Sequence, residues 1–334
     1  MLKRGGEITE SGFESWVART SHWLLHTQEG ILFIIVAAIW VFLTIQSPVF
    51  FTGRNIGVLL SQVSMTAITA VGMTILLISG EIDASVGSMQ AFVGVVVMSV
   101  LNSTSNLALG IAVGLAIGVA VGLINSLITL RLGINSLIAT LAMLSIVRGA
   151  AFAFTEASIQ NSHKIPTFTE IGNGFFLGVP WPIIFFLTIF LIFYFILSRT
   201  TFGRYVHAVG ANPEAATLAG IPVRLVKMAG FVLTAVLASF SAIILLSRLN
   251  SGQNGIGAGF ELEAIGAVLL GGTSLYGGEG SMVGTFLAVL LLGTLKNGIV
   301  LLDINSSWQV AVTGLIIIIA VLLDARRRRR LGQD

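Results

Sequence analysis

The sequence predicts an all-α, polytopic integral membrane protein with about ten transmembrane helices. Two observations support this prediction: 55% of the 334 residues are hydrophobic, and only 10% are charged. These fractions lie far from the averages of soluble domains. Because a hydrocarbon core about 30 Å thick takes about 20 apolar residues per helix, the chain holds roughly ten spans and little else. The absence of cysteine excludes disulfides, thiolate metal sites and thiol nucleophiles.

Ten charge-poor stretches, separated by short polar breaks, are the candidate spans. They cover residues 30–47, 56–79, 85–101, 107–130, 134–154, 181–198, 226–247, 262–275, 282–301 and 306–323. The eighth stretch is noticeably short. We therefore predict one transmembrane domain, residues 30–324, between an N-terminal tail, residues 1–29, and a basic C-terminal tail, residues 325–334.

The lysine and arginine residues predict the orientation of these spans. With an even number of spans, both tails, the break near Arg131 and the connection 199–227 share one side, and they hold most of the positive charge. We expect that side to be the cytoplasm. Arg326 to Arg330 directly follow the last span. They are typical of a stop-transfer signal bound to lipid headgroups, which we favour over a nucleic-acid-binding arm.

One span contains a regular series of glycines. In GIAVGLAIGVAVGL, Gly110, Gly114, Gly118 and Gly122 lie four residues apart. Lipid gives no hydrophobic drive for helix association, and small residues at this spacing let two backbones approach closely. The pattern predicts tight helix packing within the chain, and an interface between two copies would produce the same pattern.

Two of the connections between spans are long enough to form structure of their own. We expect the outer one, about residues 155–180, to form a short re-entrant or surface element. In the inner one, Asn212 is a good N-cap, Pro213 suits the first helical position, and Gly220 favours a left-handed C-cap. These signals predict a short exposed helix. A capped helix with small side chains suits docking into another protein, although a helix that merely joins two spans remains the alternative.

Two distant segments resemble each other. AVGMTILLISGEIDASVGSM begins at Ala70, and AIGAVLLGGTSLYGGEGSM begins at Ala264; each runs through an apolar stretch to a glycine-rich break. Interrupted apolar segments at matching positions of two halves indicate a transporter's binding site, because the freed backbone groups must be buried or line a cavity. Chance similarity between apolar sequences is the alternative to an internal repeat.

Charged residues near the two interrupted segments are the next candidates. A carboxylate at bilayer depth costs about 2.5 kcal/mol or more, so Glu81 and Asp83 should face water, a partner or a substrate. A turn at the inner membrane surface is the alternative. We expect the break to let both reach one aqueous vestibule, and we favour Asp83 as the residue that fixes the break by hydrogen bonding. Glu261 and Glu263 precede the second segment in the same manner. For Lys296, near a span end, snorkelling or ion pairing is expected.

Several familiar catalytic motifs are missing from the sequence. There is no G-x-x-x-x-G-K-[ST] phosphate loop, no H-E-x-x-H and no G-x-S-x-G, so neither ATP hydrolysis nor a familiar hydrolase is encoded. The four histidines are scattered without metal-ligand spacing. Uphill transport would need an ion gradient or a separate ATPase, and the capped inner helix favours the ATPase.

Four stretches carry a family resemblance that spans nearly the whole chain. SGEIDASVGS, FGRYVHAVGANPEAATLAGIPV, ELEAIGAVLLGGTSLYGGEGSMVGT and the closing NGIVLLDINSSWQVAVTGLIIIIAVLLD resemble the permease subunits of ribose-type ATP-binding-cassette sugar importers. The resemblance implies a type II importer-like fold in the bacterial inner membrane, with both termini cytoplasmic. It also implies a permease dimer, from two copies or a sister subunit, a tandem cytoplasmic ATPase that binds ATP and Mg²⁺, and a periplasmic sugar-binding protein.

The resemblance also implies roles for particular residues. The family's ATPase-coupling loop falls on residues 199–225 and includes Gly203, Arg204, Asn212, Glu214, Ala215, Ala216 and Gly220. The candidates for the translocation path or helix breaks are Glu81, Asp83, Ser85, Gly87, Gly271, Gly272, Thr273 and Ser274. Glu81 stands where the family commonly has glycine, and Ala84 where it has leucine, which leaves the identity of the sugar open. Neither a catalytic residue nor a tight binding pocket is expected.

Three other classes of membrane protein are alternatives. An integral-membrane enzyme would need a catalytic constellation, and the sequence shows none. An ion-coupled secondary transporter of a small polar solute would explain the carboxylates and the repeat, but not the capped inner helix. An exporter permease is disfavoured by the resemblance. Pentoses, hexoses and furanose-like signalling molecules all stay open as substrates.

Overall fold

The computed structural model describes residues 27–155, 160–161 and 165–331, so nearly all of the predicted N-terminal tail lies outside the described residues. In the described part the chain is all-α, as predicted, with thirteen helices. They are α1 (Gln28–Gln46), α2 (Gly53–Ile78), α3 (Val86–Thr104), α4 (Leu107–Leu130), α5 (Ser136–Thr155), α6 (Pro166–Asn173), α7 (Trp181–Arg199), α8 (Thr201–Ala211), α9 (Pro213–Leu218), α10 (Val223–Leu249), α11 (Phe260–Leu270), α12 (Met282–Leu301) and α13 (Trp308–Leu331).

In the part of the chain that the structure describes, four strands of two residues each join connections between helices. β1 (Gln160–Asn161) pairs antiparallel with β4 (Ser251–Gly252), and β2 (Phe175–Phe176) pairs antiparallel with β3 (Val179–Pro180). The predicted outer element is therefore a short helix, α6, followed by a hairpin, in a connection of which residues 156–159 and 162–164 lie outside the described part.

Among the described residues, eight helices are long and apolar enough to cross a membrane: α1 to α5, α7, α10 and α12. The other two predicted spans are helical but shorter. At 1.5 Å per residue, the 11 residues of α11 extend about 16 Å, half of a hydrocarbon core. The prediction that 262–275 forms a span is therefore wrong. In α13 the apolar part covers Trp308–Leu322, and the helix continues through the basic residues to Leu331 instead of ending near the predicted boundary at 324.

The centre of the bundle consists of α2, α3 and α10, most of whose residues are buried, whereas α1, α4, α5 and α7 mostly face outward. The glycine series packs α4 onto this centre, as predicted. A Cβ on Gly122 would lie 2.7 Å from the Cα of Val232 in α10, and one on Gly118 would lie 2.9 Å from the carbonyl oxygen of Ala235. Backbone contact at these distances is possible only without side chains.

Candidate functional site

The first break, between α2 and α3, is held by a buried carboxylate. Gly80 ends α2 in the left-handed region, with φ of 84°. The Asp83 side chain is fully buried, and its Oδ1 accepts hydrogen bonds from the Ser85 amide at 2.8 Å and the Ser85 hydroxyl at 2.6 Å. Its Oδ2 accepts a third from Asn125 Nδ2 in α4 at 3.1 Å. Burial raises the pKa of the Asp83 carboxyl, and these hydrogen bonds act in the opposite direction. The geometry favours a role for Asp83 in fixing the break over a role in lining the translocation path.

Glu81 points to a different neighbour. Its Oε1 accepts a hydrogen bond from Lys227 Nζ, in the first turns of α10, at 2.7 Å. Both side chains are largely buried. Glu81 and Asp83 therefore do not share an aqueous vestibule, and that prediction is wrong, because the irregular break directs one carboxylate to α10 and the other to α4.

The second break, between α11 and α12, has the same kind of helix end. Gly271 is the last cap residue of α11, and Gly272 follows with φ of 94°. A Cβ on Gly271 would lie 2.5 Å from the Cα of Thr285 in α12, so the two helices meet backbone to backbone. Thr273 and Ser274 are both buried in this break.

The two breaks lie against each other. The amide of Gly278 donates to the carbonyl oxygen of Ile78 at 2.8 Å, and a Cβ on Gly277 would lie 2.9 Å from the Cα of Gly80. Both breaks end their helix with a left-handed glycine, but Gly220 after α9 does the same. The shared cap is therefore not specific to an internal repeat, which stays a prediction.

The predicted capped helix is α9. Asn212 Oδ1 accepts a hydrogen bond from the Ala215 amide at 2.9 Å, and Pro213 occupies the first turn. At the other end Gly220 has φ of 80°, and the amide of Ile221 donates to the carbonyl of Ala216 at 3.0 Å. Both caps are confirmed.

The exposed surface of α9 is broader than the sequence indicated. Glu214 and Ala215 are exposed while Ala216 is buried. Leu218 is 90% exposed, an apolar side chain that the sequence analysis did not single out. The exposed face of α9 therefore carries one charged and one large apolar side chain, Glu214 and Leu218.

A second helix precedes α9 and was missed. Thr200 is the N-cap of α8, and its hydroxyl accepts a hydrogen bond from the Gly203 amide at 3.4 Å. Gly203 is buried against the end of α7, and Arg204 is exposed. The threonine cap and the amphipathic pattern of TFGRYVHAVGA were the signals available in the sequence.

α8 lies directly on both breaks. His207 Nδ1 is 3.0 Å from the carbonyl oxygen of Gly278. A Cβ on Gly210 would overlap the carbonyl oxygen of Ile78 and the amide of Gly278. The inner helices and the two breaks therefore form one packed unit, and a displacement of α8 has to move the breaks as well.

A cavity of about 460 Å³ lies at the opposite end of the bundle, between α2, α3, α11 and α12. Its polar lining includes Asn55, Gln62, Gln90, Glu263, Lys296 and Asn297. Glu263 Oε2 accepts a hydrogen bond from Lys296 Nζ at 2.5 Å, and Thr66 Oγ1 lies 3.5 Å from Glu263 Oε1. Of the residues singled out from sequence, Glu263 and Lys296 are the two that reach this cavity. The eight helix-break candidates do not line it.

The amides around the cavity were missed by the sequence analysis. Asn55 and Asn297 exchange hydrogen bonds through their side chains at 3.1 and 3.0 Å. Gln90 is almost fully buried, although it lies in an apolar span, whereas Gln62 is exposed on α2. Isolated amides inside spans were the available signal, because such groups usually face a partner or water.

Glu261 lies outside the cavity, beside the start of α3. Its side chain fills the space where a Cβ on Gly87 would lie, so Gly87 permits this close approach. Arg148, in α5, donates to the carbonyl oxygens of Asn254 and Ile256 at 3.0 and 2.6 Å. These contacts hold the connection before α11. Within the described residues, no group of three or more metal-ligating side chains is present.

Comparison with known proteins identifies similar permeases. The family model described as "Branched-chain amino acid transport system / permease component" matches residues 55–321. The Ribose import permease protein RbsC of Escherichia coli strain K12 is 38% identical over 312 residues, covering 92% of this chain and 96% of that protein.

Two other relatives carry L-arabinose and ribose in their names. The L-arabinose ABC transporter permease protein AraH of Azospirillum brasilense is 39% identical, over 94% of this chain and 92% of that protein. RbsC of Bacillus subtilis is 40% identical, over 89% of this chain and 91% of that protein. No solved structure gives a significant match.

Proposed function

This chain belongs to the family of ribose-type permeases of ATP-binding-cassette importers, and from that premise we propose how it works with its partners. It imports a monosaccharide, coupled to a separate cytoplasmic ATPase and supplied by an external sugar-binding protein. The relatives named above carry sugars in their names, ribose and L-arabinose, while the family description names branched-chain amino acids. We favour a pentose or related monosaccharide because those relatives are similar over nearly the whole chain.

The observation that carries the coupling proposal is the contact of α8 with both breaks. α9 is exposed, is capped at both ends and follows α8 directly. A tandem ATPase docked on α9 would displace α8, and α8 would shift Gly278 and Ile78 through its backbone contacts. ATP and Mg²⁺ belong to that ATPase in this proposal. Alternating access then follows from rigid-body movement of the packed unit.

Membrane topology and assembly are part of the same proposal. We place α8, α9 and both termini in the cytoplasm of a bacterial cell, because the basic residues concentrate there. The cavity then opens toward the outside. From the family resemblance we also propose that a second permease copy or a sister subunit completes the assembly.

The ion-coupled alternative has less support than the sequence suggested. Its argument was the set of unexplained carboxylates inside the membrane. Glu81 and Glu263 each have a lysine partner, and Asp83 accepts three hydrogen bonds.

Purification of the tagged permease from native membranes in mild detergent tests the coupling proposal. We expect an ATPase to copurify with the wild-type chain. Glu214→Lys and Leu218→Asp should reduce its recovery at least about tenfold at equal permease abundance, because both change the exposed surface of α9. Ser306→Lys, an exposed change at the opposite end, is the matched control and should leave recovery unchanged. Equal ATPase recovery from all variants would contradict the assignment of α9.

A further inference from the structure

The ion pair in the cavity joins α11 to α12 within the apolar bundle. Lys296 lies five residues before the last residue of α12, about 8 Å along the helix axis, and Glu263 is in the first turn of α11. Charged groups within apolar membrane helices usually face a water-filled path, a partner or a substrate. Lys296 keeps 30% of its side chain exposed and Glu263 keeps 14%. Both groups are therefore accessible from the cavity, unlike the fully buried Asp83.

The charges around the cavity are balanced. Among its described lining residues, Glu263 and Lys296 are the titratable ones, and their formal charges cancel. An anionic solute would lie against the Glu263 carboxylate and a cationic one against the Lys296 ammonium. A neutral solute avoids both conflicts, so the balance favours an uncharged cargo.

The hydrogen-bonding groups match a polyhydroxylated solute. An ammonium donates only, a carboxylate accepts only, and an amide does both. A sugar hydroxyl can donate to Glu263 while its neighbour accepts from Lys296, and Gln62 and Gln90 offer amides on the walls formed by α2 and α3. Phe260 supplies an apolar surface for the C–H face of a ring. The volume of about 460 Å³ lies within the range typical of small-molecule sites.

We propose that Glu263 and Lys296, together with Gln62 and Gln90, form the station of the translocation path that contacts the passing sugar and selects neutral, unphosphorylated monosaccharides with neighbouring hydroxyls. This inference rests on the proposed function. Glu263 and Lys296 form an ion pair with each other when no sugar is bound. A sugar therefore has to compete with that pair, which favours weak binding and rapid release.

The experiment uses the whole transporter, purified through the tagged permease and reconstituted in vesicles with its binding protein. Radiolabelled D-ribose and L-arabinose are the probes, and the readout is sugar transported per ATP hydrolysed. Lys296→Met, Glu263→Gln and Gln90→Leu should lower this ratio about tenfold for the transported probe, with ATP hydrolysis kept within twofold. A purely structural defect would lower ATP hydrolysis together with transport.

The double variant Glu263→Gln with Lys296→Met separates contact from ion pairing. It leaves no unpaired charge, so a merely structural pair would be restored, whereas a sugar-contacting pair stays defective. Thr294→Val is the matched control: Thr294 lies on the same helix and is fully buried, but it accepts a hydrogen bond from Trp40 in α1, away from the cavity. We expect its transport ratio to equal that of the wild type.

Selection by charge is measured on the permease alone in lipid nanodiscs, by saturation-transfer NMR at millimolar sugar. D-Ribose should show transfer that Lys296→Met abolishes, and D-ribose 5-phosphate should show none. Unchanged ratios in the single variants, recovery in the double variant, or equal transfer to the phosphate would each overturn the inference. ATP-dependent uptake by the wild type in those cases leaves the proposed function intact. If the wild type takes up neither probe nor any other neutral monosaccharide, both proposals fail.

Discussion

The two ends of the bundle contain similar ion pairs in opposite surroundings. At the packed end, formed by the two breaks and α8, the Glu81–Lys227 pair lies beside backbone contacts between glycines. At the open end, the Glu263–Lys296 pair lines a cavity of about 460 Å³. Both pairs join a glutamate to a lysine within hydrogen-bond distance, and both are partly buried.

The difference lies in what surrounds each pair. Glycines at the packed end leave no room for a solute, so charges there join helices together. Amides and space at the open end leave room for a solute beside the charges. An ion pair inside a membrane protein therefore does not indicate a transport path by itself; the volume and polarity next to it decide its role.

The largest effect is expected at the packed end from Gly210→Ala. The added Cβ would overlap the backbone of Ile78 and Gly278, and neither backbone can yield without moving a break. Overpacking of this kind costs about 1–3 kcal/mol. We expect the variant to lose sugar uptake, measured in whole cells, and to lower the thermal unfolding midpoint of the purified permease. Gly149→Ala is the control, because no heavy atom lies within 4 Å of that Cβ position. Normal uptake by Gly210→Ala would show that the packed end tolerates separation.

An intermediate effect is expected from Asp83→Ala. The change leaves three donors without their acceptor, but it also removes the cost of burying the carboxylate, so the two effects partly offset each other. Membrane abundance, measured by immunoblot, should fall several-fold. Asp83→Asn retains one acceptor and should fall less. Normal abundance of both variants with altered sugar preference would instead assign Asp83 to the path.

The smallest effect is expected from Glu81→Gln. The neutral amide still accepts a hydrogen bond from Lys227, so the contact between the break and α10 is kept. Uptake and sugar preference should stay within about twofold of the wild type. Glu81→Gly leaves Lys227 without this partner. We expect it to lower the abundance of the permease in the membrane and to leave its sugar preference unchanged. A changed sugar preference in Glu81→Gln would remove the distinction between the two ends.

The sequence predicted features that depend on local chemistry. Eight of the ten candidate spans follow from apolar length alone, and the caps of α9 follow from Asn212, Pro213 and Gly220. The glycine series of α4 predicted its close packing, although not its partner, α10.

Features that depend on distant residues could not be predicted in this manner. Lys227 lies 146 positions from Glu81, and Lys296 lies 33 positions from Glu263, so a single sequence contains no signal that pairs them. The prediction of a shared vestibule for Glu81 and Asp83 was wrong for a different reason. An irregular break has no fixed side-chain period, so the directions of its side chains cannot be read from the spacing. The span predicted over residues 262–275 extends beyond the end of α11 because the apolar pattern continues past the glycines that end the helix.

The glycine contacts between the two breaks have a consequence for the energy of the cell. A bacterial membrane stores work as differences in proton and sodium concentration, and every transporter is a potential leak for these ions. A barrier made of side chains can open briefly when one rotamer changes. The contact between the two breaks is backbone against backbone, at Ile78, Gly210 and Gly278, so it opens only when whole helices separate. We expect the resting permease to be impermeable to protons and to open only during a cycle of its ATPase.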